Sequence, residues 1–313
     1  MRLVGGLQAQ DAPAAALGVR ARLAGATAAA VERARFEERS VARIWCMRGT
    51  LHLVPAEDAR WLVALLGPIG LARGRRRREQ MGISPEATAA VRAALQDGPR
   101  TRHEIAADVR AAGHRFADDR QASIHLVMAA AAEGHVIEAA TRGREPTYAL
   151  TDAWLGPAGP LPDRETALAE LARRHARAHP PAGPEDFAAW SGLPMPDARR
   201  AFATIAPDFE EVEVLGRKAW VPPGLEPAPP AVRLLPAFDG ILLGHRDRAL
   251  TVRPEQAREV LPGGGILRPT VLAGGRVEGT WRFERGTPDV RPFDPPGPDV
   301  GAEIEDVVRF RTG

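Results

Sequence analysis

Segments rich in proline and glycine divide the chain into short pieces, and this division constrains the fold more than any other feature of the sequence. The two clearest segments are residues 156–162 and 222–230, and residues 286–298 have a similar composition. Such segments are typical of turns and linkers. We therefore expect compact units at residues 1–80, 81–160, 161–222 and 223–285, followed by an irregular tail over residues 286–313.

The order of helices and strands is clearest in the second unit, residues 81–160. Thr101 precedes Glu104 by three residues, a capping-box spacing that predicts the start of a helix. A second helix is predicted over residues 120–133 and ends at a glycine, and a hairpin follows over residues 136–150. Helix, helix and hairpin in this order are typical of a winged helix.

The same order recurs in the first and third units. The first unit has predicted helices at residues 12–23 and 28–35 and strands at 40–47 and 50–54. The third unit has predicted helices at residues 165–175, 184–189 and 196–205 and strands at 211–215 and 218–221. The last unit has only strands, predicted at residues 232–235, 249–252, 270–272 and 276–281. The sequence therefore predicts an α+β fold of three tandem winged helices followed by a small sheet or barrel.

Composition excludes several classes of protein. The single cysteine, Cys46, excludes an internal disulfide, and the eight histidines lack the spacing of a zinc site, so neither a metal nor a cofactor is expected. No apolar run reaches the ~20 residues of a membrane helix, and no apolar signal segment follows Met1. We expect a cytoplasmic, nucleoid-associated protein. Phosphate-loop, nucleophile-elbow and zinc-protease motifs are all absent from the sequence.

The placement of arginine is more informative than the formal net charge of +2. Lys218 is the only lysine, and residues 73–78 contain five arginines. Such a cluster suits phosphate oxygens, and it is equally typical of a solvated helix end. Arg48 on the first predicted wing and Arg142 and Arg144 on the second favour contact with DNA, although winged helices also serve as protein–protein modules.

Gln8 and Gln10 stand directly before the first predicted helix. Asp11 is a favourable N-cap and Pro13 suits the first turn, so the helix is predicted to begin after Asp11 and to leave residues 8–10 extended. Residues two apart in an extended chain point to the same side, so both carboxamides could face one object beside the helix N-terminus. The alternative is a pair of surface glutamines near a helix start.

Two further segments concentrate polar groups. In residues 43–54, strand alternation places Arg43 on one face of the first strand and Thr50 with His52 on a face of the second. His52 is either a ligand for phosphate or water, or a structural histidine. In residues 234–248, an Arg-Asp-Arg run follows an apolar stretch and suits either a site wall or a local ion-pair turn.

Four separated motifs resemble the AlkZ/YcaQ-like winged-helix DNA glycosylases. They lie at residues 6–11, 45–54, 186–193 and 235–248, with short matches at 269–272 and 279–281, and the likeness spans residues 3–283. The resemblance implies a C-shaped array of tandem winged helices closed by a small β-barrel, with a basic channel for duplex DNA. The family's catalytic signature is Gln, an apolar residue, then Gln or Asp, and it matches Gln8, Ala9 and Gln10.

The resemblance also implies a function. Characterised members excise alkylated purines and unhook interstrand crosslinks, so we expect a monofunctional DNA glycosylase that acts as a monomer on damaged double-stranded DNA. Members carry a longer segment before the glutamine motif, so we expect either a misassigned start or a first winged helix that lacks its first helix. The alternative is a non-catalytic winged-helix DNA-binding protein or regulator. The residues expected to contact DNA are Arg43, Arg48, Thr50, His52, Arg75, Arg76, Arg142, Arg144, Asp239, Arg246 and Arg248.

Overall fold

The computed structural model describes residues 4–226 and 229–313, so part of the predicted linker at residues 222–230 lies outside the described residues. The chain divides into two compact units. The terminal unit combines the residues up to Glu32 with Ala169–Gly313, and the central unit contains Arg33–Leu168. The boundaries between the predicted winged helices stay predictions.

Helices and strands alternate along the chain. The helices are α1 (Ala12–Arg20), α2 (Ala28–Phe36), α3 (Ala59–Gln80), α4 (Pro85–Ala94), α5 (Arg102–Ala111), α6 (Arg120–Ala132), α7 (Thr151–Leu155), α8 (Arg164–Ala178), α9 (Pro184–Ser191), α10 (Met195–Ile205), α11 (Gly240–Leu243), α12 (Ala257–Val260) and α13 (Gly301–Thr312). The strands are β1 (Leu7–Gln8), β2 (Val41–Trp45), β3 (Leu51–Pro55), β4 (Arg100–Thr101), β5 (Val136–Arg142), β6 (Glu145–Leu150), β7 (Glu210–Val214), β8 (Arg217–Val221), β9 (Val232–Leu235), β10 (Thr270–Ala273), β11 (Arg276–Glu284) and β12 (Thr287–Pro292). The predicted mixture of helix and sheet is confirmed. Over the described ranges, no helix is long and apolar enough to cross a membrane.

The central unit contains the helices and hairpins that local sequence signals predict. β2 and β3 form an antiparallel hairpin, and β4, β6 and β5 form a three-stranded antiparallel sheet. The hydroxyl of Thr101 caps α5 and Glu104 completes the predicted capping box. Trp45 on β2 stacks on Tyr148 on β6, with ring centroids 6.0 Å apart. The first predicted hairpin therefore packs directly against the second.

The buried face of α6 differs from a simple helical stripe. Val127 is buried, but Ile124 and Met128 are only half-buried, and Leu126 lies in the core beside Val127. Residues 129–132 are four consecutive alanines. Alanine is tolerated on either face of a helix, so this run does not indicate which face of α6 is buried.

The last predicted unit forms an open sheet. β12, β11, β10 and β9 lie side by side in that order and pair antiparallel. Residues 249–252, predicted as a strand, form a turn, and Val252 packs in an apolar cluster with Leu242 and Val260. Within the described residues β9 and β12 stand at the two ends of the sheet and are not paired with each other. The prediction of a closed β-barrel is therefore wrong.

The C-terminal segment contains regular structure where composition predicts an irregular tail. Residues Thr287–Pro292 form β12, and Gly301–Thr312 form α13, whose Val307 and Phe310 are buried. Three of the prolines stand between these elements, at residues 295–298. The proline and glycine content of residues 286–298 therefore did not predict the helix that follows, which has one apolar face.

A buried arginine docks α1 onto this C-terminal helix. Nη1 of Arg20 donates to the carboxylates of Glu303 and Asp306, both at 3.0 Å, and its Nη2 donates to the carbonyl oxygen of Leu234 at 2.7 Å. The side chain of Arg20 is 1% exposed. Three segments of the terminal unit, α1, β9 and α13, therefore meet at one guanidinium group.

Two histidines of α8 are buried in the terminal unit. Nε2 of His175 donates to the carbonyl oxygen of Gly244 at 2.7 Å, and its ring packs between Phe187 and Trp190. Burial lowers the pKa of His175 to about 4. A Cβ at Gly244 would come within 2.3 Å of Nδ1 of His179, so a larger residue there would displace the ring.

We expect Arg20→Met to lower the free energy of unfolding by about 2 kcal/mol or more, because it leaves the carbonyl of Leu234 without its donor and removes the buried cation of Glu303 and Asp306, which keep only the more exposed Arg233 and Arg309. Urea unfolding followed by tryptophan fluorescence measures this loss. Arg33→Met is the matched control, because Arg33 pairs with Glu38 where their side chains are 57% and 53% exposed. That control should lose less than about 1 kcal/mol. Equal losses in the two variants would contradict the docking role of Arg20.

Candidate functional site

The glutamine segment, residues 8–10, begins at the end of β1 and precedes the start of α1. α1 begins at Ala12, and the carboxylate of Asp11 accepts a hydrogen bond from the backbone N–H of Ala14 at 3.0 Å. A capping carboxylate here satisfies one of the free N–H groups of the first turn and complements the positive end of the helix dipole. The predicted helix start is confirmed, and the two glutamines precede it.

Burial alternates along the glutamine segment. Leu7 and Ala9 are 4% and 0% exposed, whereas Gln8 is half-buried and Gln10 is exposed. Alternation is the pattern of an extended chain, in which residues two apart point the same way. Gln8 at the end of β1 and Gln10 in the bend before α1 therefore keep exposed surface beside the N-terminal end of α1, while Leu7 and Ala9 are buried.

Close packing explains the glycines that precede this segment. Gly5 and Gly6 have φ values of 66° and 113°, in the region that favours glycine. A Cβ on Gly5 would lie 3.0 Å from Cη2 of Trp190, in α9. The chain entering the glutamine segment therefore rests on an aromatic ring from another of the four sequence motifs, and a side chain at Gly5 would push it away.

The turn between β2 and β3 carries the second group of candidate residues. Arg48 has a φ of 55°, and the hydroxyl of Thr50 donates to the carbonyl oxygen of Met47 at 3.1 Å. Nδ1 of His52 donates to the carbonyl oxygen of Thr50 at 3.0 Å, and His52 is 2% exposed. Burial first, and the charge of Arg48 second, lower the pKa of His52 to about 3. His52 is therefore neutral at pH 7, which fits the structural alternative.

Arg43 lies inside the central unit. Its Nη1 donates to one carboxylate oxygen of Glu138 at 2.6 Å, and Arg35 donates to the other oxygen at 2.7 Å. The side chains of Arg43 and Glu138 are 10% and 2% exposed. The guanidinium expected to contact DNA is thus bound to a buried carboxylate.

The arginine cluster occupies the last turns of α3. Arg75 and Arg76 are exposed, and Arg75 forms an exposed ion pair with Glu79 at 3.4 Å. Cations here also complement the negative end of the helix dipole. The position fits both hypotheses made from the sequence, a phosphate-binding patch and a solvated helix end.

The two arginines at the turn between β5 and β6 differ in their contacts. Arg144 is exposed at the turn. Nη1 of Arg142 instead donates to the carboxylate of Glu104 at 2.6 Å, the same side chain that completes the cap of α5. Contact between Arg142 and DNA would have to compete with this ion pair.

In the segment of residues 234–248, one expected DNA contact is buried. The carboxylate of Asp239 has no exposed surface and binds Arg22 through two hydrogen bonds of 2.7 and 2.8 Å. Arg246 is exposed. Arg248 is half-buried, its Nε donates to the carbonyl oxygen of Leu242 at 3.0 Å, and burial lowers its pKa. Of the three residues of this segment that were expected to contact DNA, Arg246 and Arg248 have exposed surface and the carboxylate of Asp239 has none.

Sequence reasoning missed Arg20 and Arg22. Their partners lie more than 200 positions away, at Glu303 and Asp239, so no local spacing connects them. The one available signal was two arginines, two positions apart, at the end of an otherwise apolar helix.

Comparison with known proteins decides the family. The family described as DNA glycosylase AlkZ-like matches residues 1–309. The chain belongs to the AlkZ-like DNA glycosylase family. The Interstrand DNA cross-link repair glycosylase of Streptomyces sahachiroi is 29% identical in an alignment of length 312 that covers 92% of this chain and 82% of the relative. The solved structure of Streptomyces sahachiroi DNA glycosylase AlkZ matches 99% of this chain and 89% of its own, with a TM-score of 0.81 and 26% identity.

Membership in the AlkZ-like family makes this chain a DNA glycosylase by class, a hydrolase of N-glycosyl bonds in DNA. The resemblance seen in the four motifs is confirmed. Across residues 4–226 and 229–313, no group of three histidine, cysteine or acidic side chains is placed to hold a metal ion.

His52 should make folding of this AlkZ-like chain sensitive to acid. Its pKa is about 3 in the folded state against 6.5 ordinarily, so between these values the unfolded state binds one more proton and stability falls as the pH drops. One proton corresponds to about 1.4 kcal/mol per pH unit. Urea unfolding of the wild type and of His52→Gln between pH 7 and pH 4.5 should show a slope smaller by about this amount in the variant. Identical slopes would mean that His52 is charged in the folded protein.

Proposed function

We propose that this chain is a monofunctional DNA glycosylase that hydrolyses the N-glycosidic bond of N7-alkylated purines, including purines joined in an interstrand crosslink. The observation that carries the proposal is the placement of Gln8 and Gln10, both with exposed surface, in the segment directly before the N-terminal end of α1. Family membership and the name of the Streptomyces relative, a cross-link repair glycosylase, support the substrate class.

The positive charge of the leaving base explains how two neutral glutamines can suffice to catalyse its release. An N7-alkylated guanine is cationic, so it takes the electron pair of the C1′–N9 bond and leaves as a neutral base. C1′ develops oxocarbenium character, water adds to it, and the proton of that water passes to solvent. A carboxamide oxygen of Gln8 or Gln10 can accept a hydrogen bond from the water and direct its dipole at C1′. Glycosidases with poorer leaving groups use two carboxylates.

The need for a cationic leaving base limits the scope of the reaction. Unmodified purines should not be released, because their departure requires protonation that neutral glutamines do not supply.

Water is the expected nucleophile, because the only lysine, Lys218, is 72% exposed and binds Glu211 at 2.7 Å. A lysine held in this way is unsuited to the covalent intermediate of a bifunctional glycosylase.

We infer that the helix–hairpin segments act as winged helices and that exposed arginines bind the DNA backbone. The order α5, α6, β5 and β6 supports this for the central unit, and α9, α10, β7 and β8 support it for the terminal unit. The proposed contacts exclude His52 and Asp239, which are buried, and Arg43 and Arg142, which form hydrogen-bonded ion pairs of 2.6 Å with Glu138 and Glu104. The proposed contacts are Arg48, Thr50, Arg75, Arg76, Arg144, Arg246 and Arg248.

Gln8→Ala and Gln10→Ala should each lower the rate of base release by at least about 100-fold, because each removes a dipole aimed at developing positive charge. The assay uses a duplex with one N7-methylguanine, excess enzyme, and alkaline cleavage of the abasic strand on a gel. Gln96→Ala is the matched control, because Gln96 is exposed and donates only to the carbonyl oxygen of Arg92 among the contacts of its side chain. Base release at the wild-type rate by both test variants would refute the glutamine mechanism.

The affinity for duplex DNA should fall steeply with salt, with a slope of about −0.9 per phosphate neutralised. Arg75→Ala with Arg76→Ala should reduce that slope by up to about two phosphates. Fluorescence anisotropy of a labelled duplex at several salt concentrations measures it. Arg33→Ala, at an exposed arginine paired with Glu38, should leave the slope unchanged. An unchanged slope in the double variant would assign the cluster to a solvated helix end.

A further inference from the structure

Arg22 and Asp239 form a buried, doubly hydrogen-bonded ion pair in the terminal unit. Nη2 of Arg22 donates to Oδ1 of Asp239 at 2.7 Å, and Nη1 donates to Oδ2 at 2.8 Å. The carboxylate has no exposed surface and the arginine side chain is 23% exposed. Burial works to lower the pKa of Arg22, but the hydrogen bonds and charge of Asp239 outweigh it and the pKa is raised. The guanidinium of Arg22 therefore stays charged, and the two parallel hydrogen bonds to the carboxylate of Asp239 fix direction as well as distance.

The backbone around Asp239 is shaped to present its carboxylate. Phe238 has a φ of 59°, which is unfavourable for a residue other than glycine and persists only where the surroundings impose it. Oδ1 of Asp239 also accepts a hydrogen bond from the N–H of Ile241 at 2.9 Å, which fixes the rotamer of the carboxylate. A Cβ on Gly240 would stand 3.6 Å from Nη2 of Arg22, so the chain passes close to the guanidinium.

A short series of contacts leads from this pair to the glutamine segment. Nη1 of Arg22, besides binding Asp239, donates to the carbonyl oxygen of Gly18 at 3.0 Å. A Cβ on Gly18 would lie 3.5 Å from Cδ1 of Leu7 and 3.9 Å from Nη1 of Arg22. Gly18 thus lies between the arginine and Leu7, and Leu7 directly precedes Gln8 in β1.

We propose that Arg22 and Asp239 are a positioning pair for the glutamine segment. They hold the C-terminal part of α1, and through Gly18 and the buried side chain of Leu7 they set the position of Gln8. The pair has no contact with DNA in this role, because the carboxylate is enclosed by protein. This inference rests on the proposed function, since it assigns the pair to the reaction of Gln8.

A purely structural pair would act differently. Replacing a buried ion pair often changes stability little, so burial alone gives no reason for this geometry. A structural pair would affect stability and DNA affinity without regard to Gln8. A positioning pair would affect the rate of bond cleavage through Gln8, because small displacements of an orienting group cost much of its effect.

The substitution that tests this is Asp239→Asn, which keeps the shape of the side chain and the cap of α11 but removes the charge. We expect the single-turnover rate of release of N7-methylguanine to fall about 10- to 100-fold. The dissociation constant for the intact duplex should stay within about twofold of wild type. Asp208→Asn is the matched control, because Asp208 is 52% exposed and pairs with Arg173 at 3.0 Å. A wild-type rate in Asp239→Asn would overturn the proposal.

A double-mutant cycle with Gln8→Ala then separates positioning from structure. If the pair acts through Gln8, Asp239→Asn should cost little or nothing further in a Gln8→Ala background. Equal fold losses in the two backgrounds would show that the pair acts independently of Gln8 and would overturn the positioning role.

A second measurement keeps this inference distinguishable from failure of the proposed function. The chain has six glutamines and no asparagine, so the wild-type side-chain amide region of a nitrogen-15 spectrum contains six signal pairs. Gln8→Ala assigns the pair of Gln8. Asp239→Asn should shift or broaden that pair while leaving the pair of Gln96 unchanged, and the substituted side chain adds one pair of its own. An unchanged Gln8 signal would overturn the positioning role, whether or not the wild-type protein releases a base.

Discussion

Two guanidinium groups at the C-terminal end of α1 hold the part of the terminal unit that carries the glutamine segment. Arg20 binds Glu303 and Asp306, and Arg22 binds Asp239. A buried guanidinium is costly unless its donors are met by well-placed acceptors, so these contacts permit few positions of the helix. Each connects an early helix to a segment more than 200 residues later. Contacts between the early and late parts of the chain therefore help to fix the position of the candidate site.

Three buried titratable groups, His52 and Cys46 in the central unit and His175 in the terminal unit, are neutral at pH 7. Burial lowers the pKa of His52 to about 3 and that of His175 to about 4, and it raises the pKa of Cys46 to about 12. None of these groups can exchange a proton readily near pH 7.

Local signals were enough to predict much of the fold. The start of α1 after Asp11 and the capping box of Thr101 and Glu104 depend on residues within a few positions of each other, and both are confirmed. The barrel and the irregular tail were wrong, because residues 249–252 pack as a turn and because α13 follows a proline-rich stretch. For the site, the position of the glutamines before the start of α1 was predictable from the N-cap Asp11. The burial of Arg43 and Asp239 was not, since it depends on distant partners, Glu138 and Arg22.

Product analysis is the most direct measurement of the role proposed for Gln8 and Gln10. A duplex with one N7-methylguanine is incubated with the wild type and with the Gln8→Ala, Gln10→Ala double variant, and the free base and the alkali-labile sites are counted separately. The wild type should release one N7-methylguanine for each abasic site, form no borohydride-trapped protein–DNA adduct, and leave an unmodified duplex intact, while the double variant should release almost none. Tight binding of the duplex by the wild type without any free base, or equal release by the two proteins, would contradict it.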